Sequence, residues 1–204
     1  MDFGIFMEFE IRQGGDQMAA FREGFDVVDA AEAWGLDGVW LGEMHFTPAR
    51  SVLSAPIVVA SSIATRTKRL RIGMAVQVLP LNNPLRIAEE AATVDQISAG
   101  RFDFGIGRSG FPRVYDVYGI PYAESQARFR EALEIILEAW KGEPFSYKGR
   151  YWSFENATWA AAPASASSSA SEPSPAFTTC SRPAVPASPR DPPARARQAR
   201  WARA

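Results

Sequence analysis

The sequence of 204 residues holds one cysteine and one histidine. The lone cysteine, Cys180, excludes an internal disulfide and a cysteine-rich zinc site. The lone histidine, His45, excludes a multi-histidine centre, so no metal is expected. Neither sign of charge is in real excess. With 22 Lys+Arg against 23 Asp+Glu, the net of −1 gives nucleic acid or an acidic membrane surface no electrostatic foothold. No apolar run is long enough to span a bilayer. The opening Met1-Asp-Phe-Gly-Ile-Phe-Met has neither a basic region nor a long apolar stretch, so it does not read as a secretory signal and a cytoplasmic location is expected.

What is present divides the chain in two. Hydrophobic residues at 47% and charged residues at 22% describe a globular body large enough for one core. From Ala160 to Ala204 the composition changes: 30 of these 45 residues are Ala, Ser or Pro, and leucine and isoleucine are absent. Such a segment buries too little apolar surface to offset the entropy of ordering it, so 160–204 is expected to be disordered. Its Ala, Pro, Arg and Ser are also what a GC-rich gene yields when read out of frame; the alternative is a natural Ala/Pro linker or tail.

The body, 1–159, alternates strand and helix patterns. Strands are expected at 2–8, 38–42, 70–79 and 102–106. Helices are expected at 17–34 with Gly35 as its stop, at 55–66, after the Asn83-Pro84 cap as far as Gly100, and at 123–141. The helix at 55–66 is apolar nearly all round, which predicts burial on every side. Phe145–Phe154 reads as a hairpin turning at Lys148-Gly149. Four β-α units in succession imply an α/β fold with a parallel sheet, either part of an eight-stranded barrel or a small doubly wound sheet.

Polar residues gather where strands end: Glu8 and Glu10, Glu43 and His45, Gln77, then Arg108 and Ser109. In a parallel sheet these loops share the carboxyl face, where ligands bind. Gly105-Ile-Gly-Arg-Ser-Gly110 matches G-x-G-x-x-G. A dinucleotide site needs a helix opening at the last glycine, and none is expected before about residue 123. What survives is a glycine-rich loop with an arginine, which suits a phosphate, or pairs with a loop carboxylate. His45 is the candidate general acid/base, or else a packing histidine. Gly107-Arg-Ser-Gly-Phe111 lacks the second glycine of a serine-nucleophile turn.

Several segments carry a resemblance: Met1-Asp-Phe-Gly-Ile-Phe6, Val39-Trp-Leu-Gly-Glu-Met-His-Phe46, Ile72-Gly-Met-Ala-Val-Gln-Val-Leu-Pro80 with Asn83-Pro84, Asp95-Gln-Ile-Ser-Ala-Gly-Arg-Phe102, and Gly105-Ile-Gly-Arg108. In this order they resemble the bacterial-luciferase-like flavin monooxygenases, from Met1 to about Trp159. The resemblance implies a (β/α)8 TIM-barrel relative, here reduced to the first four β-α units followed by the tail. It implies reduced FMN, supplied by a separate flavin reductase, and O2 as the oxidant of a small organic substrate. Ala75-Val76 matches a non-proline cis peptide beneath the flavin ring. Gly107 matches a small residue lining the flavin, and Arg108 the arginine that grips its phosphate. Family members commonly dimerise through their early helices, which makes a homodimer an expectation.

The sequence departs from that pattern at Met44. Luciferase-type catalytic chains carry Glu-His-His-Phe, with the catalytic role on the first histidine. Here Glu43 and His45 remain as catalytic candidates around a thioether that moves no protons. Two alternatives follow: a non-catalytic flavin-fold or partner subunit, and an oxidoreductase using the deazaflavin F420, the cofactor of sister groups. A barrel wall without its second half is expected to bind FMN weakly and to be impaired.

Overall fold

In the computed structural model, which describes residues 2–158 and Pro163, short strands and helices alternate from the start. β1 (Gly4–Met7) leads to α1 (Gln17–Trp34), and β2 (Gly38–Leu41) to α2 (Pro56–Arg66). β3 (Arg71–Met74) and β4 (Gln77–Val78) lead to α3 (Pro84–Ser98). β5 (Phe102–Asp103) and β6 (Ile106–Gly107) lead to α4 (Pro112–Val117) and α5 (Ser125–Ala139). An antiparallel hairpin of β7 (Phe145–Lys148) and β8 (Ser153–Ala157) follows. The expected tail, Pro163 excepted, lies outside the described residues.

The helices form where their ends are satisfied. The Asp16 carboxylate accepts from the Ala19 N–H at 2.7 Å and starts α1, and Gly35, at φ 83°, stops it in the left-handed region open to glycine. Asn83 accepts from the N–H groups of Leu85 and Arg86, with Pro84 in the first turn.

The main sheet has the order β1-β2-β3-β5, all parallel, with Gly4 opposite Gly38 and Gly38 opposite Arg71. Strand order follows chain order without a reversal. A doubly wound sheet reverses direction at a switch point, whereas a barrel wall does not, so this is a barrel-type wall. Among the described residues it does not close, and β1 and β5 are its edges. Val39, Leu41, Ile72 and Met74 face the helices and form the core with Val28, Ile63, Ala88 and Ile136. Alternation turns Phe6 and Trp40 to the other face. There Trp40 lies over Gly73, where a Cβ would come within 2.2 Å of the indole.

Four expectations need correction. The strands at 70–79 and 102–106 are each broken in two, because the chain bends between β3 and β4 and again between β5 and β6. At the second bend Gly105 passes so close to the Met74 carbonyl oxygen that a Cβ would stand 1.9 Å from it. α2 is not buried all round: Val58 is 63% exposed. A helix does begin before residue 123, at Pro112, and at the end of α3 Ala99 takes the left-handed cap position one residue ahead of Gly100.

Half-buried charges fasten the amino-terminal ends of the strands. Glu32 on α1 accepts from the N–H groups of Lys68, Arg69 and Leu70, clamping the turn into β3. Arg101 donates to the carbonyls of Ala64, Thr67, Leu70 and Ser98 and to the Thr67 hydroxyl, tying the ends of α2 and α3 together. Burial pushes the Glu32 carboxyl up, but the three N–H bonds and the Arg69 charge outweigh it and leave its pKa below the ordinary value of 4.5. A depressed native pKa means this stability is present above the unfolded value and is lost as pH falls through the native one. Urea denaturation is expected to show Glu32→Gln less stable by about 0.5–1 kcal/mol at pH 7, with the gap to wild type narrowing below pH 4.5.

Candidate functional site

The carboxyl ends of the strands meet around Glu43. The Gly42 N–H donates to the Met7 carbonyl at 3.1 Å, carrying β2 alongside β1 for one residue more. The Glu43 side chain, 2% exposed, then crosses toward β4. Its Oε2 accepts from Gln77 Nε2 at 2.7 Å and from the Val78 N–H at 2.8 Å, and its Oε1 lies 2.7 Å from His45 Nε2. A carboxylate offers acceptors only, so this arrangement suits the ionised form. Glu43 is therefore an organising buried anion, not a solvated loop residue.

His45 is held on both sides. Its Nδ1 lies 3.4 Å from the Tyr118 hydroxyl, and the two rings meet edge-to-face with centroids 5.5 Å apart. Burial, with Glu43 adding to it, raises the Tyr118 pKa, so this phenol stays protonated at neutral pH. The Met44 N–H donates to the Leu53 carbonyl and fixes the loop that carries the histidine. Glu43, His45, Gln77, Asn82 and Tyr118 all line one cavity of about 250 Å³. Gln77 Oε1 is buried there without a hydrogen-bond partner.

The other candidates form a second cluster. The Ala75–Val76 peptide is cis. β4 pairs in parallel with β6, with Val78 opposite Gly107, and a Cβ on Gly107 would stand 2.5 Å from Val76 Cγ2. Only glycine lets these two segments touch. Arg108 follows directly. Its Nη1 donates to the Tyr122 and Ser125 hydroxyls, both at 3.1 Å, and its guanidinium stands 5.7 Å from the Tyr122 ring centroid. Its own carbonyl accepts from the Tyr115 hydroxyl. Among the described residues no carboxylate is within ion-pair distance of Arg108, so the carboxylate alternative has no partner here. A cation anchored by neutral hydroxyls keeps its full charge for an anionic ligand.

The remaining strand-end residues do other work. Glu8 forms a two-pronged pair with Arg50 at 2.7 and 3.0 Å, and Ser109 accepts from the Phe111 N–H. Sequence reasoning missed Tyr118, Tyr122 and Ser125. Tyr118 and Tyr122 follow α4, where no helix was expected and a segment this short has no period to announce it, whereas Ser125 opens α5, inside the expected 123–141 helix, where a lone serine carries no signal.

The luciferase-like monooxygenase family profile matches residues 1–189, well past Trp159. The oxygenase component of a flavin-dependent trigonelline monooxygenase from Acinetobacter baylyi is 31% identical, over 80% of this chain and 46% of its own length. The crystal structure of the monooxygenase RslO1 from Streptomyces bottropensis superposes with a TM-score of 0.75 at 27% identity, over 79% of this chain and 50% of that one. The oxygenating constituent of 3,6-diketocamphane monooxygenase from Pseudomonas putida, a type II Baeyer–Villiger enzyme solved with FMN, superposes with a TM-score of 0.71 at 26% identity, over 78% and 45%. The chain thus spans about half the length of the relatives it matches.

Removing the Glu43 carboxylate strands two buried donors, Gln77 Nε2 and the Val78 N–H. Glu43→Ala is expected to lower unfolding free energy by about 1–3 kcal/mol, measured by urea denaturation, while Met44→Ala, whose side chain is outside this network, costs less.

Proposed function

Because the chain belongs to the luciferase-like monooxygenase family, we propose that it carries the amino-terminal part of a flavin-dependent monooxygenase site that oxidises a small organic substrate with O2. The observation that carries this reading is Arg108, a guanidinium held by hydroxyls, free of any carboxylate among the described residues, and next to Gly107. That donor set fits the phosphate of FMN. In this reading Arg108 holds the phosphate, while Ala75, Val76 and Gly107 line the flavin ring. His45, oriented by Glu43, is the group that exchanges a proton with the substrate. Reduced FMN, when bound, supplies the electrons that activate O2. A separate flavin reductase delivers it, as the name "oxygenase component" suggests for the trigonelline relative.

A second reading, a partner subunit that does not itself catalyse, is favoured by Met44 at the position where luciferase-type chains carry histidine. The open wall supports a further element of the proposal, that this chain alone is impaired and binds FMN weakly. The exposed α2–α3 face, with Val58 63% exposed beside a groove of about 480 Å³, suits a second copy of the chain.

Fluorescence titration is expected to give wild type an FMN dissociation constant weaker than micromolar, and Arg108→Ala a further loss of about tenfold or more. Micromolar or tighter binding by wild type refutes impairment, and an unchanged constant in Arg108→Ala refutes the phosphate role. Oxygen uptake with reduced FMN separates an enzyme from a partner subunit, and absorbance of the co-purified cofactor separates FMN from F420. Light scattering is expected to show Val58→Arg as a monomer where wild type is a dimer.

A further inference from the structure

Two nitrogens of His45 face different partners, and the structure distinguishes what each partner can do. Glu43 Oε1 at 2.7 Å from Nε2 belongs to a carboxylate whose other oxygen already takes two N–H donors. Facing an ionised carboxylate, Nε2 must be the donor and so must carry hydrogen. In the neutral ring Nδ1 is then the lone-pair nitrogen. Its neighbour agrees: the Tyr118 hydroxyl at 3.4 Å is a protonated phenol able to donate to it. Both ends of the imidazole therefore ask for the same tautomer. The cavity of about 250 Å³ that Tyr118 and His45 share gives an incoming molecule a path to this edge of the ring.

We propose that Glu43 is a positioning residue that locks His45 in its Nε2–H tautomer, so that Nδ1 is the atom that takes up and returns a proton, with Tyr118 as the hydroxyl an incoming substrate group displaces. This rests on the reading of His45 as the acid/base group, and sharpens it to one atom. In the forward step a substrate X–H bond breaks as the Nδ1–H bond forms. The imidazolium charge is held by the Glu43 carboxylate, and the proton returns by the reverse route. Gln77 belongs to the same device. Its amide spends Nε2 on Glu43 and keeps the carboxylate turned toward the ring. A carboxamide at residue 43 reverses the instruction. Its single carbonyl oxygen serves the Gln77 and Val78 donors, which leaves its NH2 to donate to His45 Nε2 and forces hydrogen onto Nδ1.

The sequence makes the test clean, because the chain has only one histidine. A long-range 1H–15N correlation spectrum of the 15N-labelled chain, recorded at alkaline pH where the ring is neutral, reads the tautomer directly. The expected result is Nε2–H in wild type and in Tyr118→Phe, with Nδ1–H in Glu43→Gln. Nδ1–H or an averaged pattern in wild type overturns the proposal. So does an unchanged tautomer in Glu43→Gln, or a tautomer that follows Tyr118→Phe in place of Glu43. If Glu43→Gln fails to fold, Glu43→Ala takes its place: an averaged pattern is expected there, and a pure Nε2–H ring overturns the proposal. None of these readouts involves flavin, so the tautomer assignment stands or falls apart from the monooxygenase reading.

Discussion

One carboxylate ties the carboxyl end of this parallel sheet together. Glu43 leaves the end of β2 and accepts from a side-chain amide and a backbone N–H on β4, across a sheet whose own ladder has broken between Met74 and Gln77. Where β3 bends away, β4 keeps its strand pairing with β6 alone, and the Glu43 bonds supply the connection on the β2 side. The same anion sets the direction of His45. Architecture and chemistry therefore share a group, so the histidine cannot be reoriented without loosening the strand beside it. A buried anion with three donors costs less than its burial suggests, because each donor would otherwise be left unsatisfied.

The opposite end of the sheet uses the same physics for a different purpose. Glu32 collects three amide N–H groups and Arg101 collects carbonyls from two helix ends, so turns with many orphan backbone groups are closed by one charged side chain each. Glu131 repeats the device on α5, accepting from the N–H groups of Arg150, Tyr151 and Trp152 to seat the hairpin, in a space that opens because Gly149 has no side chain. The difference lies in what surrounds the charge. The Glu32, Arg101 and Glu131 partners named here are saturated structural clamps, whereas Glu43 has a titratable ring and a cavity beside it.

The sequence revealed features that have a period or a punctuation mark. α1 was legible to the residue because Phe21, Phe25 and Val28 share a face and Gly35 ends it, and Asn83-Pro84 announced α3. Glu43, His45, Gln77 and Arg108 were legible as polar residues at strand ends. The broken strands were not, because hydropathy continues through Ala75-Val76 while the backbone turns, and a close passage such as Gly105 under the Met74 carbonyl leaves no mark but a glycine. α4 has six residues, fewer than two turns, too short for amphipathic spacing to declare itself, and the tyrosines that complete the site came with it. That Val58 faces outward was hidden because an exposed apolar residue and one in a core look alike in sequence.

The inner face of the wall adds a constraint of another kind. Trp40 spreads over both neighbouring strands, toward Gly73 on one side and Gly4 on the other, where a Cβ would approach the indole to 2.2 and 3.3 Å. The three positions are occupied by one side chain between them. In genetic terms they form a single locus split across three strands: a larger residue at 73 is tolerated only with a smaller one at 40, and compensating pairs rather than single changes are the steps by which this surface drifts.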